Sequence, residues 1–94
     1  MYILHTRYSE LLLRLAEKVV VDDEPLSFLQ SALKSNSFRS NITIRYALLN
    51  IQEVLVKSYT QPKSKKCLVE FILSAIDSPA TLAEEYKTRQ RKGS

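Results

Sequence analysis

The scarcity of chain-breaking residues constrains this sequence more than any other feature. Gly93 is the one glycine in 94 residues, and three prolines accompany it. A β-sandwich or β-barrel would need a turn signal roughly every 8–12 residues. Because apolar residues make up 45% of the chain and charged residues 26%, the composition is that of a folded globular protein. The sequence therefore predicts a single all-α domain with one modest core.

The first apolar stripe lies in the segment YSELLLRLAEKVV. It has the three- and four-residue spacing of one helix face. Its members are Tyr8, Leu11, Leu12, Leu15 and Val19. This first helix is expected to end at DDEP, where Asp22 or Asp23 can cap the next helix and Pro25 suits its first turn. The second helix, residues 25 to about 35, is short and is expected to bury Leu26, Leu29 and Leu33.

The segment SNSFRSN is predicted to be a loop between the second and third helices. Asn36 can take a left-handed conformation at the end of the second helix, and Ser40 or Asn41 can cap the third. Phe38 is the one large apolar residue of this loop. We therefore expect Phe38 to fold back onto the core.

The longest apolar period predicts a third helix over about residues 41–59. Its main stripe consists of Ile44, Leu48, Ile51, Leu55 and Tyr59. A second row, Ile42, Leu49 and Val56, broadens the apolar surface and indicates contacts on more than one side. A fourth helix, about residues 64–77, is apolar nearly all round, so it is expected to be the most buried element.

The remaining segment, SPATLAEEYK, restarts helical structure with Ser78 as cap and Pro79 in the first turn. Only two apolar anchors, Leu82 and Tyr86, hold this short fifth helix or helical tail, which leaves open whether it docks, frays or awaits a partner. The short connections predict an antiparallel up-and-down four-helix bundle over about residues 6–78, with the C-terminal helix and a basic tail over 79–94. Two-helix solenoid units are the rival arrangement.

No pattern in the sequence points to catalysis, a cofactor or a metal. His5 is the one histidine and Cys67 the one cysteine, whereas a zinc site needs three or four ligands and a catalytic nucleophile needs a base. A glycine-rich phosphate loop is excluded because Gly93 stands alone. Cys67 is expected to be an inert core residue. The alternative is a reactive thiol, favoured by the lysines beside it.

The sequence favours a cytoplasmic location, and peripheral contact with the membrane is compatible with that location. A lone cysteine forms no internal disulfide, and the chain opens with no secretory signal pattern. The longest apolar window, CLVEFILSAI, is interrupted by Glu70 and falls well short of the ~20 residues that a membrane-spanning helix needs. An intracellular protein is the resulting expectation.

The whole chain has a formal net charge of +4 at pH 7, and its basic residues are concentrated in the last three quarters of the sequence. Lys63, Lys65 and Lys66 lie in the turn TQPKSKKC, and the chain ends in KTRQRKGS. Ser64 can cap the fourth helix, which places Lys65 and Lys66 in its first turn, where the helix dipole disfavours cations. The turn is therefore a candidate site for an anionic surface, the alternative being a plain solvated turn.

The order of these segments resembles the small immunity proteins that protect Gram-positive bacteria against pediocin-like bacteriocins. The resemblance rests on the leucine-rich first helix, on EPLSFLQSALKS, and on TIRYALLNIQEVLVKSYTQPKSKKCLVEFILSAI, two helices around a basic turn. It covers roughly residues 8–78 and is a pattern without a strict motif. It implies a basic cytosolic protein of about this length, built as an antiparallel four-helix bundle.

The resemblance also implies a non-enzymatic function without cofactors. Family members recognise, inside the producing cell, the membrane sugar permease that the bacteriocin has captured, and so block the pore. Their C-terminal part sets which toxin is resisted. Carried onto this chain, recognition falls on the basic turn and the tail, that is, on Lys63, Lys65, Lys66, Tyr86, Lys87, Arg89, Arg91 and Lys92. The tail is shorter and more basic than in many members, which leaves its role open.

Two other functions stay open from the sequence. A small nucleic-acid-associated regulator would use the same basic residues, and a steep salt dependence of duplex binding would identify it. No helix-turn-helix glycine turn or zinc module organises these charges, however. A helical protein–protein interaction module is the other alternative, and a concentration-dependent dimer would be its first sign.

Overall fold

Six α-helices build the described part of the chain, and no strand occurs within it. The computed structural model describes the backbone of residues 2–93 and the side chains of residues 4–92. The helices are α1 (Tyr2–Val21), α2 (Pro25–Leu33), α3 (Asn36–Arg39), α4 (Ile42–Thr60), α5 (Lys65–Ala75) and α6 (Pro79–Gly93). The prediction of an all-α protein is confirmed.

Helix α1 buries the stripe that its sequence predicted. The buried residues include Tyr8, Leu11, Leu12, Leu15 and Val19. Tyr8 donates its hydroxyl proton to the backbone carbonyl of Ala75, on α5, over 2.7 Å, so its polar group is satisfied inside the core. Burial raises the pKa of the Tyr8 hydroxyl above its ordinary value of 10.0, because the phenolate would lose its hydration.

The connection between α1 and α2 differs from the prediction. The residue that precedes α2 is Glu24, not Asp22 or Asp23, and its side chain makes no capping hydrogen bond. Asp22 and Glu24 adopt left-handed conformations, with φ of 58° and 45°, which costs about 1 kcal/mol for each residue that carries a Cβ. Asp23 pairs instead with Lys18 of α1 over 3.0 Å. Pro25 lies in the first turn of α2, as predicted.

A short extra helix, α3, replaces the loop predicted between the second and third helices, and α2 ends earlier than expected, at Leu33. Ser35 accepts a hydrogen bond at Oγ from the backbone N–H of Ser37 over 3.2 Å. This cap starts a helical turn, so Asn36 is helical and does not take the left-handed conformation expected of it. Phe38 is buried, as predicted.

Two predicted caps are confirmed at the starts of α4 and α5. Asn41 Oδ1 accepts a hydrogen bond from the backbone N–H of Ile44 over 2.9 Å. Ser64 Oγ accepts one from Cys67 over 3.1 Å. Ser78 behaves differently, because it donates its hydroxyl proton to the carbonyl of Ser74 over 3.1 Å. Its side chain therefore joins the end of the preceding helix.

Helix α5 is not the most buried element, contrary to the prediction. Six residues of α4 and six described residues of α1 are buried, against three of α5. The reason is the number of neighbours: α4 packs against α6, α2, α3 and α5, whereas α5 packs mainly against α1. The outer face of α5 consequently stays in solvent, and Leu73 is 40% exposed.

Two helix pairs, α4 with α6 and α1 with α5, make the most extensive contacts, and α2 packs against one member of each pair. Helices α1 and α5 are antiparallel. Tyr8 meets Ala75 at one end of this pair, and Lys65 meets Val20 at the other. Helix α6 is docked, since Leu82 belongs to the same core cluster as Tyr8. In residues 2–93, no helix combines the length and the apolar character needed to cross a membrane.

Candidate recognition surface

The residues predicted to bind a partner fall into two groups with different packing partners. The lysine turn consists of Lys63, Lys65 and Lys66, at the junction of α4 and α5. The α6 group consists of Tyr86, Lys87, Arg89, Arg91 and Lys92. The lysine turn contacts α1 through Lys65, whereas the α6 group lies on a helix that packs against α4.

In the lysine turn, one lysine has a local structural role. Lys65 Nζ donates a hydrogen bond to the backbone carbonyl of Val20, in the last turn of α1, over 3.3 Å. Carbonyls at a helix C-terminus carry the negative end of the dipole and attract cations. This contact offsets the unfavourable position of Lys65 in the first turn of α5. Lys63 and Lys66 are exposed to solvent.

The α6 group is positioned by a buried asparagine on α4. Asn50 is 2% exposed. Its Nδ2 donates to the backbone carbonyl of Leu82 over 2.8 Å, and its Oδ1 accepts from Arg89 Nη2 over 2.9 Å. Both ends of the amide are thus satisfied by α6, one through its backbone and one through a side chain. This pairing sets where α6 lies along α4.

Glu53, one turn further along α4, extends the same network. Its Oε1 lies 3.1 Å from Arg89 Nη2, and its Oε2 accepts a hydrogen bond from Gln90 Nε2 over 3.1 Å. Arg89 is therefore engaged with two residues of α4. Of the predicted recognition residues, Arg89 has a role in docking α6.

Tyr86 and Lys87 both contact Tyr46, a tyrosine of α4. The rings of Tyr46 and Tyr86 have centroids 5.6 Å apart and are tilted by 32°. Lys87 Nζ lies 5.6 Å from the centroid of the Tyr46 ring and 3.5 Å from Glu84 Oε2. The ring contact and the cation–π contact place an ammonium group directly beside two aromatic side chains.

A groove of about 410 Å³ opens between α4 and α6 at this point. We call it the α4–α6 groove; it is lined by Ile42, Tyr46, Tyr86, Lys87, Gln90 and Arg91. Ile42 is the first residue of α4, so the groove lies beside the N-terminus of that helix. The lining combines apolar side chains with two cationic ones, Lys87 and Arg91. Three of the six lining residues, Tyr86, Lys87 and Arg91, belong to the α6 group.

Sequence reasoning missed Tyr46, Asn50 and Glu53, the residues of α4 that hold the α6 group. A signal for Asn50 was present. It lies three residues after Ala47 and four before Val54, which puts a polar side chain beside the apolar stripe of α4. A buried polar residue of this kind needs a specific partner. The partner on α6 had no corresponding signal.

Other predicted positions on α4 are corrected. Tyr59, expected in the main stripe, is 65% exposed, and the buried stripe ends at Leu55. In the second row, Ile42 is 59% and Val56 47% exposed. Helix α4 does have neighbours on several sides. On the side that faces α6, Asn50 makes the buried polar contacts, whereas Ile42 lines the groove between the two helices and stays largely in solvent.

The structure offers no assembled metal centre among residues 2–93: no group of three or more His, Cys, Asp or Glu side chains lies close enough to hold an ion. His5 is exposed on α1. Cys67 is also exposed, so the expectation of a buried core cysteine is wrong. Its position in the first turn of α5 turns it away from the stripe formed by Leu68, Ile72 and Ala75.

A comparison of the chain with protein-family models, with curated proteins and with solved structures finds no match in any of the three.

Proposed function

We propose that this protein is a non-enzymatic immunity protein that acts in the cytosol of a Gram-positive bacterium. In this proposal it protects the cell against a pediocin-like bacteriocin by recognising the toxin-bound membrane permease. The resemblance of the sequence to that family motivates the proposal. The observation that supports it best is the anchoring of α6, the helix that carries most of the predicted recognition residues.

Anchoring matters because recognition by a preformed surface avoids the entropic cost of ordering it on binding. Asn50 holds α6 through a backbone carbonyl and through Arg89. Tyr86, Lys87 and Arg91 are thereby presented together at the α4–α6 groove. A helix held in one position can carry specificity in its side chains, as the proposal requires of the C-terminal part.

The fold that the resemblance implies is an antiparallel four-helix bundle, and in this proposal its helices are α1, α2, α4 and α5. The antiparallel α1–α5 pair and the packing of α2 against both α1 and α4 support it. In this arrangement α6 packs against α4 as an additional helix and contributes Leu82 to the shared core.

Expression of the chain in a bacteriocin-sensitive strain tests the function. Survival should rise against at least one member of a panel of pediocin-like toxins, compared with an empty vector. Lys87→Gln should reduce that protection, whereas Lys34→Gln should leave it unchanged, because Lys34 is an exposed cation at the end of α2. Absence of protection against a broad panel would refute the proposal.

A helical protein–protein interaction module is a second candidate, favoured by exposed apolar residues near the end of α4. Val56 and Tyr59, one turn apart on that helix, leave apolar surface in solvent, and adjacent exposed apolar side chains are typical of interaction sites. Sedimentation analysis over a range of concentrations tests it. A dimer that is weakened by Val56→Ser would support the module, whereas a monomer at all concentrations would argue against self-association.

A further inference from the structure

We infer that the α4–α6 groove binds a partner segment in which an acidic side chain stands next to a large apolar one. The inference deepens the proposed function and rests on it for one point, that the partner is a protein. The charge and apolar character of the binding site follow from the residues that line the groove, and binding assays with purified components test them.

The floor of the groove supplies the apolar half of the site. Ile42 leaves 59% of its surface in solvent, and the Tyr46 and Tyr86 rings lie beside each other with centroids 5.6 Å apart. The volume of about 410 Å³ falls within the range of roughly 300–1,000 Å³ that is typical of small-ligand pockets. The groove therefore has room for one large aliphatic or aromatic side chain and its immediate neighbour.

The rim supplies the anion-binding half. Lys87 and Arg91 both line the groove. The N-terminus of α4 adds to their field, since this 19-residue helix begins at Ile42 and the positive end of its dipole lies there. Asn41 caps the helix by accepting from the N–H of Ile44. A carboxylate at this position meets the Lys87 ammonium and the positive end of the α4 dipole.

Glu84, which lies outside the lining of the groove, pairs with Lys87 and so competes with an incoming carboxylate. Its Oε2 lies 3.5 Å from Lys87 Nζ, and 67% of its side chain is exposed. An exposed pair of this length contributes little to stability, so an incoming carboxylate can displace it. Removal of the Glu84 charge should consequently strengthen binding of an acidic segment, an effect that a purely apolar groove would not show.

A peptide segment fits these features better than a nucleic acid or a lipid surface. Stacked bases need free aromatic faces, but the Tyr46 ring already contacts Tyr86 and Lys87. A membrane surface is broad, whereas this site is a cleft between two helices with an aliphatic side chain at its edge. One side chain with an adjacent carboxylate matches both halves of the groove at once.

Fluorescence anisotropy with short labelled peptides tests the inference. The probes are end-blocked peptides that contain a phenylalanine–aspartate or leucine–glutamate pair, matched with the same peptides carrying asparagine or glutamine. The acidic peptides should bind about tenfold more tightly than the amides, the effect of one charge-assisted hydrogen bond. Lys87→Gln should weaken this preference severalfold, Glu84→Gln should strengthen acidic-peptide binding, and Lys34→Gln should change neither.

Equal affinity for the acidic and amide peptides would overturn the inference, and so would an unchanged preference in Lys87→Gln. Tighter binding to anionic vesicles or to single-stranded DNA than to every peptide would also overturn it. Thermal melts of each variant establish that it is folded. If the acidic peptides bind but the chain gives no protection in the sensitive strain, only the proposed function is refuted. If protection survives Lys87→Gln and the purified protein shows no preference for acidic peptides, only this inference is refuted.

Discussion

Asn50, on α4, donates a hydrogen bond to the backbone carbonyl of Leu82, on α6, over 2.8 Å in a buried position. The same side chain accepts from Arg89, so two turns of α6 are fixed by one residue of α4. A buried polar group stabilises a structure only in arrangements that satisfy it. Sliding α6 along α4 would leave the amide unpaired, and this relationship therefore specifies the position of the helix.

Replacement of Asn50 by alanine should destabilise the protein strongly. The change removes both hydrogen bonds and leaves a cavity, for an expected loss of about 1–3 kcal/mol in the free energy of unfolding. For a domain of this size, each kcal/mol lowers the melting temperature by roughly 4–8 °C. Thermal and urea denaturation measure it. Gln30→Ala, at an exposed site on α2, is the control, and equal melting temperatures for the two variants would contradict the role of Asn50.

Arg89 should act on stability together with Asn50. Its guanidinium contacts both Asn50 and Glu53, so the effects of Asn50→Ala and Arg89→Gln should not add. A double-mutant cycle should give a coupling of about 0.5–1 kcal/mol, which is modest because Arg89 is partly exposed. Lys92→Gln changes an exposed residue nearly three turns beyond Leu82 and should lie within about 0.5 kcal/mol of the wild type. Strictly additive effects would show that the contact between Asn50 and Arg89 contributes no coupling energy.

The two lysines in the first turn of α5 should respond differently to neutralisation. Lys66→Gln should raise the free energy of unfolding by about 0.3–1 kcal/mol, because it removes a cation from the positive end of the α5 dipole. Lys65→Gln should bring no such gain, because Lys65 also contacts the carbonyl of Val20 at the negative end of α1. Chemical denaturation of the two variants in parallel, at low salt, measures the difference. An equal gain in both would mean that the contact with Val20 is energetically silent.

Tyr8 should make stability fall at alkaline pH. Burial raises the pKa of its hydroxyl in the folded protein above the ordinary value of 10.0. Above that pH the unfolded chain loses a proton that the folded protein retains, so the free energy of unfolding decreases as pH rises. The contribution is fully present below pH 10.0 and is lost as the pH rises through the folded-state value.

Comparison with Tyr8→Phe isolates this effect from the titration of lysines. The variant should lose about 0.5–1.5 kcal/mol at neutral pH, since the hydrogen bond to Ala75 disappears. Its stability should then fall less steeply than that of the wild type above pH 10.0. Urea denaturation at a series of pH values measures both slopes. Parallel curves would contradict the pKa shift.

Local signals were sufficient wherever structure depends on neighbours in the chain. The stripe from Tyr8 to Val19 and the caps at Asn41 and Ser64 were all predicted, because helix periodicity and capping involve residues only a few positions apart. Three predicted local features failed because another local interaction formed. These interactions are the pairing of Asp23 with Lys18, the cap at Ser35 that starts α3, and the hydrogen bond from Ser78 to Ser74.

Helix periodicity and capping specify that this protein is helical, where most of its helices begin, and which face of α1 is buried. The docking of α6 on α4, the contact of Lys65 with the end of α1, and the exposure of Tyr59 and Cys67 emerge only when the helices pack together. These features depend on residues that are far apart in the sequence. Asn50 and Leu82 are 32 residues apart and Lys65 and Val20 are 45 apart, and no local pattern of charge or hydropathy specifies which distant surfaces meet.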